Sequence, residues 1–211
     1  MTPQKRIMDI TLSLLLIVIL FPVYTVMALI IVLVDGGPVL YVSERMRTAN
    51  TGFMLWKFRT MTVAGKDAGV SGGDKAHRIT KTGAFMRRFR LDEIPQLWNI
   101  LRGDISFVGP RPPLRRYVQQ FPDLYKRVLK SRPGVTGLAT LAFHRREEQL
   151  LAVCETPQET EAVYTRRCVP VKARLDLIYA AQQSLCWDLQ LMVATVIRSV
   201  PLRQKPRKRT K

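Results

Sequence analysis

The chain has 211 residues, with 34 Lys and Arg against 16 acids, a formal net charge of +18 and 47% hydrophobic residues. That length suits one domain with a real core and excludes a miniprotein held by staples, while the charge selects polyanionic partners: nucleic acid, phosphorylated small molecules or an anionic membrane surface. Cys154, Cys168 and Cys186 lack a CxxC spacing and only His77 and His144 are present, which argues against a zinc centre and predicts reduced, structural thiols in a cytosolic compartment.

From Ile10 to Val34 the chain reads "ITLSLLLIVILFPVYTVMALIIVLV", with no charge between Asp9 and Asp35. The run exceeds the ~20 residues needed to cross a bilayer and the ~7–15 of a signal peptide, and no small-x-small cleavage site follows it. It therefore predicts a retained membrane segment. Lys5 and Arg6 flank one end and Arg45, Arg47 and Lys57 follow the other, so the positive-inside bias pulls both ends to the cytoplasm. Pro22 removes a backbone donor near the middle and favours a kink. A helix that enters, breaks at Phe21-Pro22 and returns fits both observations; a spanning helix is the alternative. Thr11, Ser13 and Thr25 are partial candidates to satisfy the carbonyls freed by a break.

"GGPVLYVSERM", then "NTG", then "FMLWKFRTM" predicts a β-hairpin, with Val39, Tyr41, Phe53, Leu55, Trp56 and Phe58 as strand formers around Asn50-Thr51-Gly52. Residues 63–77 are rich in Gly, Ala and Asp and read as a mobile loop able to close over a ligand. Pro95 suits the first turn of a helix, so one is expected to begin at about 91–93, with Ile94, Leu97, Trp98 and Leu101 as its core stripe and Gly103 as its end. Trp98 is assigned to packing. A further helix is expected over Pro113–Lys130, stopped by "SRPG". The last third, Pro157–Val200, reads as mostly helical. Leu189, Met192, Val193, Val196, Ile197 and Val200 form one apolar face there, assigned to the core over the bilayer surface. The tail "RQKPRKRTK" is polybasic; it reads as a solvated end or as a contact for anionic lipid headgroups, worth ~1 kcal/mol per basic residue near the surface.

No P-loop, GxGxxG or histidine beside a nucleophile is present, so carboxylates must carry any catalysis. Asp92 at a helix N-terminus, held ionised by the dipole and by Arg87, Arg88 and Arg90, would serve as a metal ligand or as a nucleophile toward phosphorus. Glu93 would support the same metal or move a proton; alone, such a pair is also ordinary helix capping. "VGPRP" mounts Arg111 on a stiff, extended backbone suited to bidentate phosphate binding, and "WKFRTM" places Lys57 and Arg59 on one strand face. Together these acids and rigidly mounted cations resemble a pocket for a diphosphate with a divalent metal, for which Mg²⁺ is the expected hard cation.

"KFRTM", "RITKTGAFMRR", "LDEIPQLWNILRGDISFVGPRP" and "RPGVTGLA" together resemble the motif set of the bacterial sugar transferases, the monotopic phosphoglycosyl transferases acting on polyprenol phosphate. The resemblance covers nearly the whole chain. It implies an α+β fold in the family's minimal catalytic form: a re-entrant membrane helix-break-helix over 1–36 broken at Pro22, then a catalytic domain over 37–200. The domain would hold a small β-hairpin, be mostly helical with amphipathic interfacial helices, and end in the polybasic tail, 201–211. It also implies transfer of a phosphosugar from a UDP-sugar to polyprenol (undecaprenyl) phosphate, releasing UMP, at the cytoplasmic face of the bacterial inner membrane, as the first membrane step of glycoconjugate assembly.

By the same resemblance Asp92 is the nucleophile and Mg²⁺ ligand, Glu93 its dyad partner, Arg87 and Arg111 the phosphate-binding arginines, and Lys57 and Arg59 the basic strand motif. Anionic lipids are expected partners, nucleic acid is not, and a homodimer is allowed. Phe89-Arg90 stands where the family often has Thr-Ser, and Arg47 where it often has Gly. A membrane-tethered nucleic-acid binder and an inactive scaffold of the same fold are the competing readings; the first leaves the acidic pair unexplained and the second conflicts with the intact dyad.

Overall fold

A computed structural model describes residues 1–62 and 73–197. The apolar run forms one helix, α1 (Pro3–Asp35), started by the Thr2 hydroxyl accepting from the Lys5 N–H and ended by Gly36 at φ +74°. The expected break at Pro22 does not interrupt the helical structure, which continues through it. The reason lies in packing on both sides of the proline. Leu12, Leu16, Ile17 and Leu20 enter one core cluster, and Tyr24, Met27, Ala28 and Ile31 another. These positions make one stripe at helical spacing, so the body of the protein holds both halves in register. The Thr25 hydroxyl donates to the Phe21 carbonyl at 3.0 Å. The other side of α1 is also apolar but open, with Val18 74% and Leu33 81% exposed.

Both ends of α1 are fastened to the same body. At the start, the Arg6 guanidinium donates to the Ile100 and Leu101 carbonyls, each at 2.6 Å. Lys5 makes a buried 2.5 Å pair with Asp188, to which the Tyr179 hydroxyl also donates at 2.7 Å. At the finish, Arg59 donates to the Asp35 carbonyl at 2.7 Å, and the Thr80 and Thr82 hydroxyls donate to the Asp35 carboxylate.

The expected hairpin is present: β1 (Leu40–Met46) pairs antiparallel with β2 (Gly52–Phe58), Leu40 opposite Phe58 and Met46 opposite Gly52. Of the loop expected over 63–77, residues 63–72 lie outside the described residues, and Gly73–Arg78 forms a short 3₁₀ turn. Next comes α2 (Lys81–Phe89), capped by the Thr80 hydroxyl and pressed so closely on the β2 exit that a Cβ at Gly83 would sit 2.1 Å from the Thr60 carbonyl oxygen. A 3₁₀ turn (Leu91–Glu93) then leads into α3 (Gln96–Arg102), so the helix expected from 91–93 starts later, with Pro95 as its cap.

The inward face of α3 is Gln96, Leu97, Asn99 and Ile100, whereas Trp98, assigned to packing, is 49% exposed. Asn99 turns the helix: its side chain accepts from the Trp56 N–H at 3.0 Å and donates to the Met54 carbonyl at 2.8 Å, which requires the neighbouring Trp98 to point elsewhere.

A second small sheet follows, β3 (Ser106–Val108) parallel to β4 (Gly134–Thr136). The single helix expected over Pro113–Lys130 is two, α4 (Arg115–Gln120) and α5 (Pro122–Val128), because Pro122 starts a new helix instead of continuing the old one. The last third is helical as expected: α6 (Leu138–Ala152), α7 (Pro157–Val163), a π-helical turn (Tyr164–Cys168), α8 (Val169–Gln182) and α9 (Leu185–Val196). Most of the apolar face assigned to the core points outward in α9, with Leu189, Val193, Val196 and Ile197 exposed, while Met192 packs on the core as expected. The core face of α9 is Asp188, Leu191 and Ala194, which the buried Lys5 pair draws inward. Val200 and the polybasic tail lie outside the described residues. The three cysteines are free, Cys154 and Cys168 buried and Cys186 exposed.

Candidate active site

Three segments meet at the dyad: the end of β2 brings Lys57, the turn between α2 and α3 brings Asp92 and Glu93, and the loop after β3 brings Arg111. Asn99 ties α3 to β2 and thereby fixes the distance between the first two. The loop is stapled to the start of β4: the Gly109 N–H donates to the Thr136 carbonyl and the Gly134 N–H to the Pro110 carbonyl, both at 2.9 Å. Only glycine fits there, since a Cβ at Gly134 would lie 2.2 Å from the Gly109 nitrogen. This clamp and the flanking prolines hold the Arg111 backbone stiff.

The two carboxylates have opposite environments. Glu93 is surrounded by cations: its Oε1 accepts from Lys57 at 3.3 Å and Arg111 at 3.2 Å, and its Oε2 from Arg90 at 2.6 Å. Burial pushes its pKa up, but Lys57, Arg111 and Arg90 together outweigh that and hold the carboxyl well below the usual glutamate range. That environment holds Glu93 as a carboxylate and favours a counter-ion role over the proton-transfer role also expected of it. Both of its oxygens are also occupied by cations.

Asp92 is 9% exposed and has only the 3.9 Å approach of Lys57 to its Oδ2 as an ion pair, with no hydrogen bond to another described residue. Burial raises its pKa above the ordinary value, the Glu93 charge adds to that, and Lys57, Arg87 and Arg111 offset it only in part. The expected depression by a helix dipole and three arginines is therefore reversed. The physical reason is that Asp92 lies in a 3₁₀ turn of three residues, that Arg90 is directed at Glu93, and that Arg88 lies over the Phe89 ring.

Of the other expected site residues, Arg87 is within electrostatic reach of Asp92 and is oriented by the Thr60 hydroxyl, which accepts from its Nε at 2.9 Å. Arg59 is not brought to the dyad; it is buried against the end of α1 on the Asp35 carbonyl, since the chain leaves β2 after Phe58 and turns toward Thr80. Pro22 is far from the chemistry, within α1. Two participants escaped the sequence reading. Asn99 could have been suspected as a polar residue inside the apolar run "LWNIL". Arg45, whose pKa is lowered first by burial and then by Arg111, adds a further cation beside the site, and nothing in its alternating strand pattern marks it. Across from these, His144, Glu147 and Tyr164 lie within electrostatic range of Arg111.

No cluster of three or more His, Cys, Asp or Glu is present among the described residues, so a protein-only metal cage is absent from them. Asp92, a single carboxylate with unshared oxygen positions, fits the mode in which Mg²⁺ is held by one or two carboxylates while substrate phosphates and water complete the shell.

The pairing of Glu93 yields a measurable consequence. Because its folded-state pKa is depressed, its contribution to stability is full above the ordinary value of 4.5 and is lost as pH falls below it. Glu93→Gln is expected to cost about 3–5 kcal/mol at pH 7, as for a broken buried pair, with the gap to wild type narrowing in melts at pH 3.

The sequence is similar to those of known proteins. The sequence model described as "Bacterial sugar transferase" matches residues 1–201. The UDP-glucose:undecaprenyl-phosphate glucose-1-phosphate transferase of Klebsiella pneumoniae is 32% identical over 198 residues, covering 92% of this chain and 39% of that protein. The corresponding transferase of Caulobacter vibrioides is 32% identical over 198 residues, covering 92% of this chain and 68% of its own length. The UDP-N-acetylgalactosamine-undecaprenyl-phosphate N-acetylgalactosaminephosphotransferase of Aeromonas hydrophila is 36% identical over 141 residues, covering 64% of this chain and 33% of that protein. The chain thus spans well under half the length of two of these three relatives. With a match that runs from its first residue past its last described helix, the chain belongs to the bacterial sugar transferase family.

Proposed function

We propose that this chain transfers a phosphosugar from a UDP-sugar to polyprenol phosphate at the cytoplasmic face of a bacterial membrane. The observation that carries the reading is the division of labour in the dyad: Glu93 is spent on three cations, leaving Asp92 buried and chemically available.

In the first step an Asp92 carboxylate oxygen forms a bond to the β-phosphorus of the UDP-sugar. The bond from that phosphorus to the α–β bridging oxygen breaks, and UMP leaves with the electron pair. In the second step a phosphate oxygen of polyprenol phosphate attacks the same phosphorus, the bond to Asp92 breaks, and polyprenyl-diphosphosugar departs with the carboxylate restored. A phosphate monoester has its second pKa at about 6, so neither the leaving UMP nor the attacking lipid phosphate needs a general acid or base at neutral pH. This agrees with a Glu93 locked as a counter-ion. Lys57, Arg87 and Arg111 would meet the negative oxygens and hold the diphosphate in line with Asp92. Mg²⁺ held through Asp92 would supply neutralisation of diphosphate charge.

The anchor supports a monotopic arrangement. Both ends of α1 are fastened to one body, at Lys5 and Arg6 and again at Asp35, so the catalytic domain would have to lie in hydrocarbon if α1 spanned the bilayer. The open apolar face of α1, with Phe85 and Phe89 on α2, Trp98 on α3 and Leu189 and Val193 on α9, provides surface for burial at the interface. The test is incubation of nanodisc-held protein with a panel of UDP-sugars, Mg²⁺ and undecaprenol phosphate, following UMP. Release with at least one sugar, abolished by chelation, is expected; release with none overturns the reading.

A further inference from the structure

Arg90 stands at the join of α2 and the turn that carries the dyad, and it is the only described non-glycine residue with positive φ, +57°. At a helix C-terminus that conformation favours glycine or asparagine, because an ordinary side chain crowds the following carbonyl there. A backbone optimised for the turn alone would not place arginine at this point. Strain of this kind persists where the surroundings use it.

The use is visible in the hydrogen bonding of Glu93. Lys57 and Arg111 both reach Oε1, at 3.3 and 3.2 Å, and neither is paired with Oε2. Arg90 Nη2 takes Oε2 at 2.6 Å from three residues away, a short tie within one turn. With that oxygen taken, the carboxylate is turned so that the other must serve both remaining cations, which draws Lys57 and Arg111 together beside Asp92. Released from Arg90, Glu93 is free to rotate and give one oxygen to each, separating them.

We propose that Arg90 is a positioning residue: by fixing the rotation of Glu93 it sets the spacing of Lys57 and Arg111 into a preformed diphosphate cradle, and the left-handed backbone is tolerated for that purpose. The inference rests on the transferase reading for its kinetic consequence but not for its structural one.

The backbone supplies an unusually clean test. Arg90→Gly removes the side chain and relieves the turn, so a loss of function cannot be put down to misfolding when the variant melts at or near the wild-type temperature. Expected is a rise in KM for the UDP-sugar that lowers kcat/KM at least about tenfold, the scale of a hydrogen bond to a charged group. Arg90→Lys, which keeps a charge but not the fork, should recover part of the loss. In a Glu93→Gln background Arg90→Gly should lower kcat/KM no further, because the residue acts through Glu93. Wild-type KM and kcat in Arg90→Gly, or equal losses in both backgrounds, overturn the inference while leaving the transferase reading intact. Should the wild type release no UMP with any sugar, that reading fails, and a melting-temperature cycle of Arg90→Gly and Glu93→Gln still decides: coupled shifts support the tie, and additive ones overturn it.

Discussion

Asp92→Asn is expected to lower UMP release by about four orders of magnitude, the scale for losing a nucleophile, and to raise the melting temperature at pH 7. The amide matches the carboxylate in shape but has no oxygen able to attack phosphorus. The gain in stability follows from burial. The folded-state pKa of Asp92 lies above its ordinary value of 3.8, so the folded protein binds more protons than the unfolded chain as the carboxyl titrates, and stability falls as pH rises through that window. Asparagine has no charge to bury. The variant's advantage should grow as pH rises above the ordinary aspartate value and vanish in melts below about pH 4, where the aspartate is protonated in both states. A lower melting temperature at pH 7 would show that Lys57 stabilises the ionised form by more than burial disfavours it. Persistent turnover in a folded variant would remove the covalent step.

Lys5→Met is expected to destabilise the protein by about 3–5 kcal/mol, because it leaves Asp188 buried without its partner. For a chain of this size that is a fall of roughly 2–4 °C in melting temperature for each kcal/mol. Replacing both members by apolar residues, Lys5→Met with Asp188→Leu, should restore most of the loss. A surface interaction would show neither effect, since exposed pairs contribute about 0–1 kcal/mol. Thermal melts of the wild type and the two variants in the same nanodiscs separate the outcomes, and a double variant no better than Lys5→Met would mean that losing the Tyr179–Asp188 hydrogen bond dominates instead, with the Val108 carbonyl left as the acceptor of that hydroxyl.

What could be read from the chain divides along a physical line. The hairpin and the helical last third follow local patterns of apolar spacing and turn chemistry and formed where expected, whereas the helix behind the dyad begins only at Gln96, after a 3₁₀ turn. Asp92, Glu93, Lys57 and Arg111 were legible as chemistry because stiff or regular backbone mounts them. The directions of their side chains were not. Arg59 sits two residues after Lys57 yet caps α1, because where a strand ends and the chain turns decides which group each side chain meets. The sign of the Asp92 shift depends on burial, to which charges adjacent in sequence are a poor guide. Pro22 marks a weak point in a helix, but the packing of Leu20 on one side and Tyr24 on the other is a tertiary fact.

The stripe of α1 that fills the two core clusters means that the anchor is not an appendage. Leu12, Leu16, Leu20, Tyr24 and Ile31 are core residues of the folded body, on the same helix whose other side is apolar and open. Cutting the chain after Asp35 to obtain a water-soluble catalytic fragment would open that core along its full length and strip the end of α3 of the Arg6 donors. Biosynthesis meets the same constraint from the other direction. α1 precedes α2 and α3, on which it packs, and Lys5 finds Asp188 only when α9, the last described helix, has emerged, so the apolar stripe of α1 needs shelter until the chain behind it has folded.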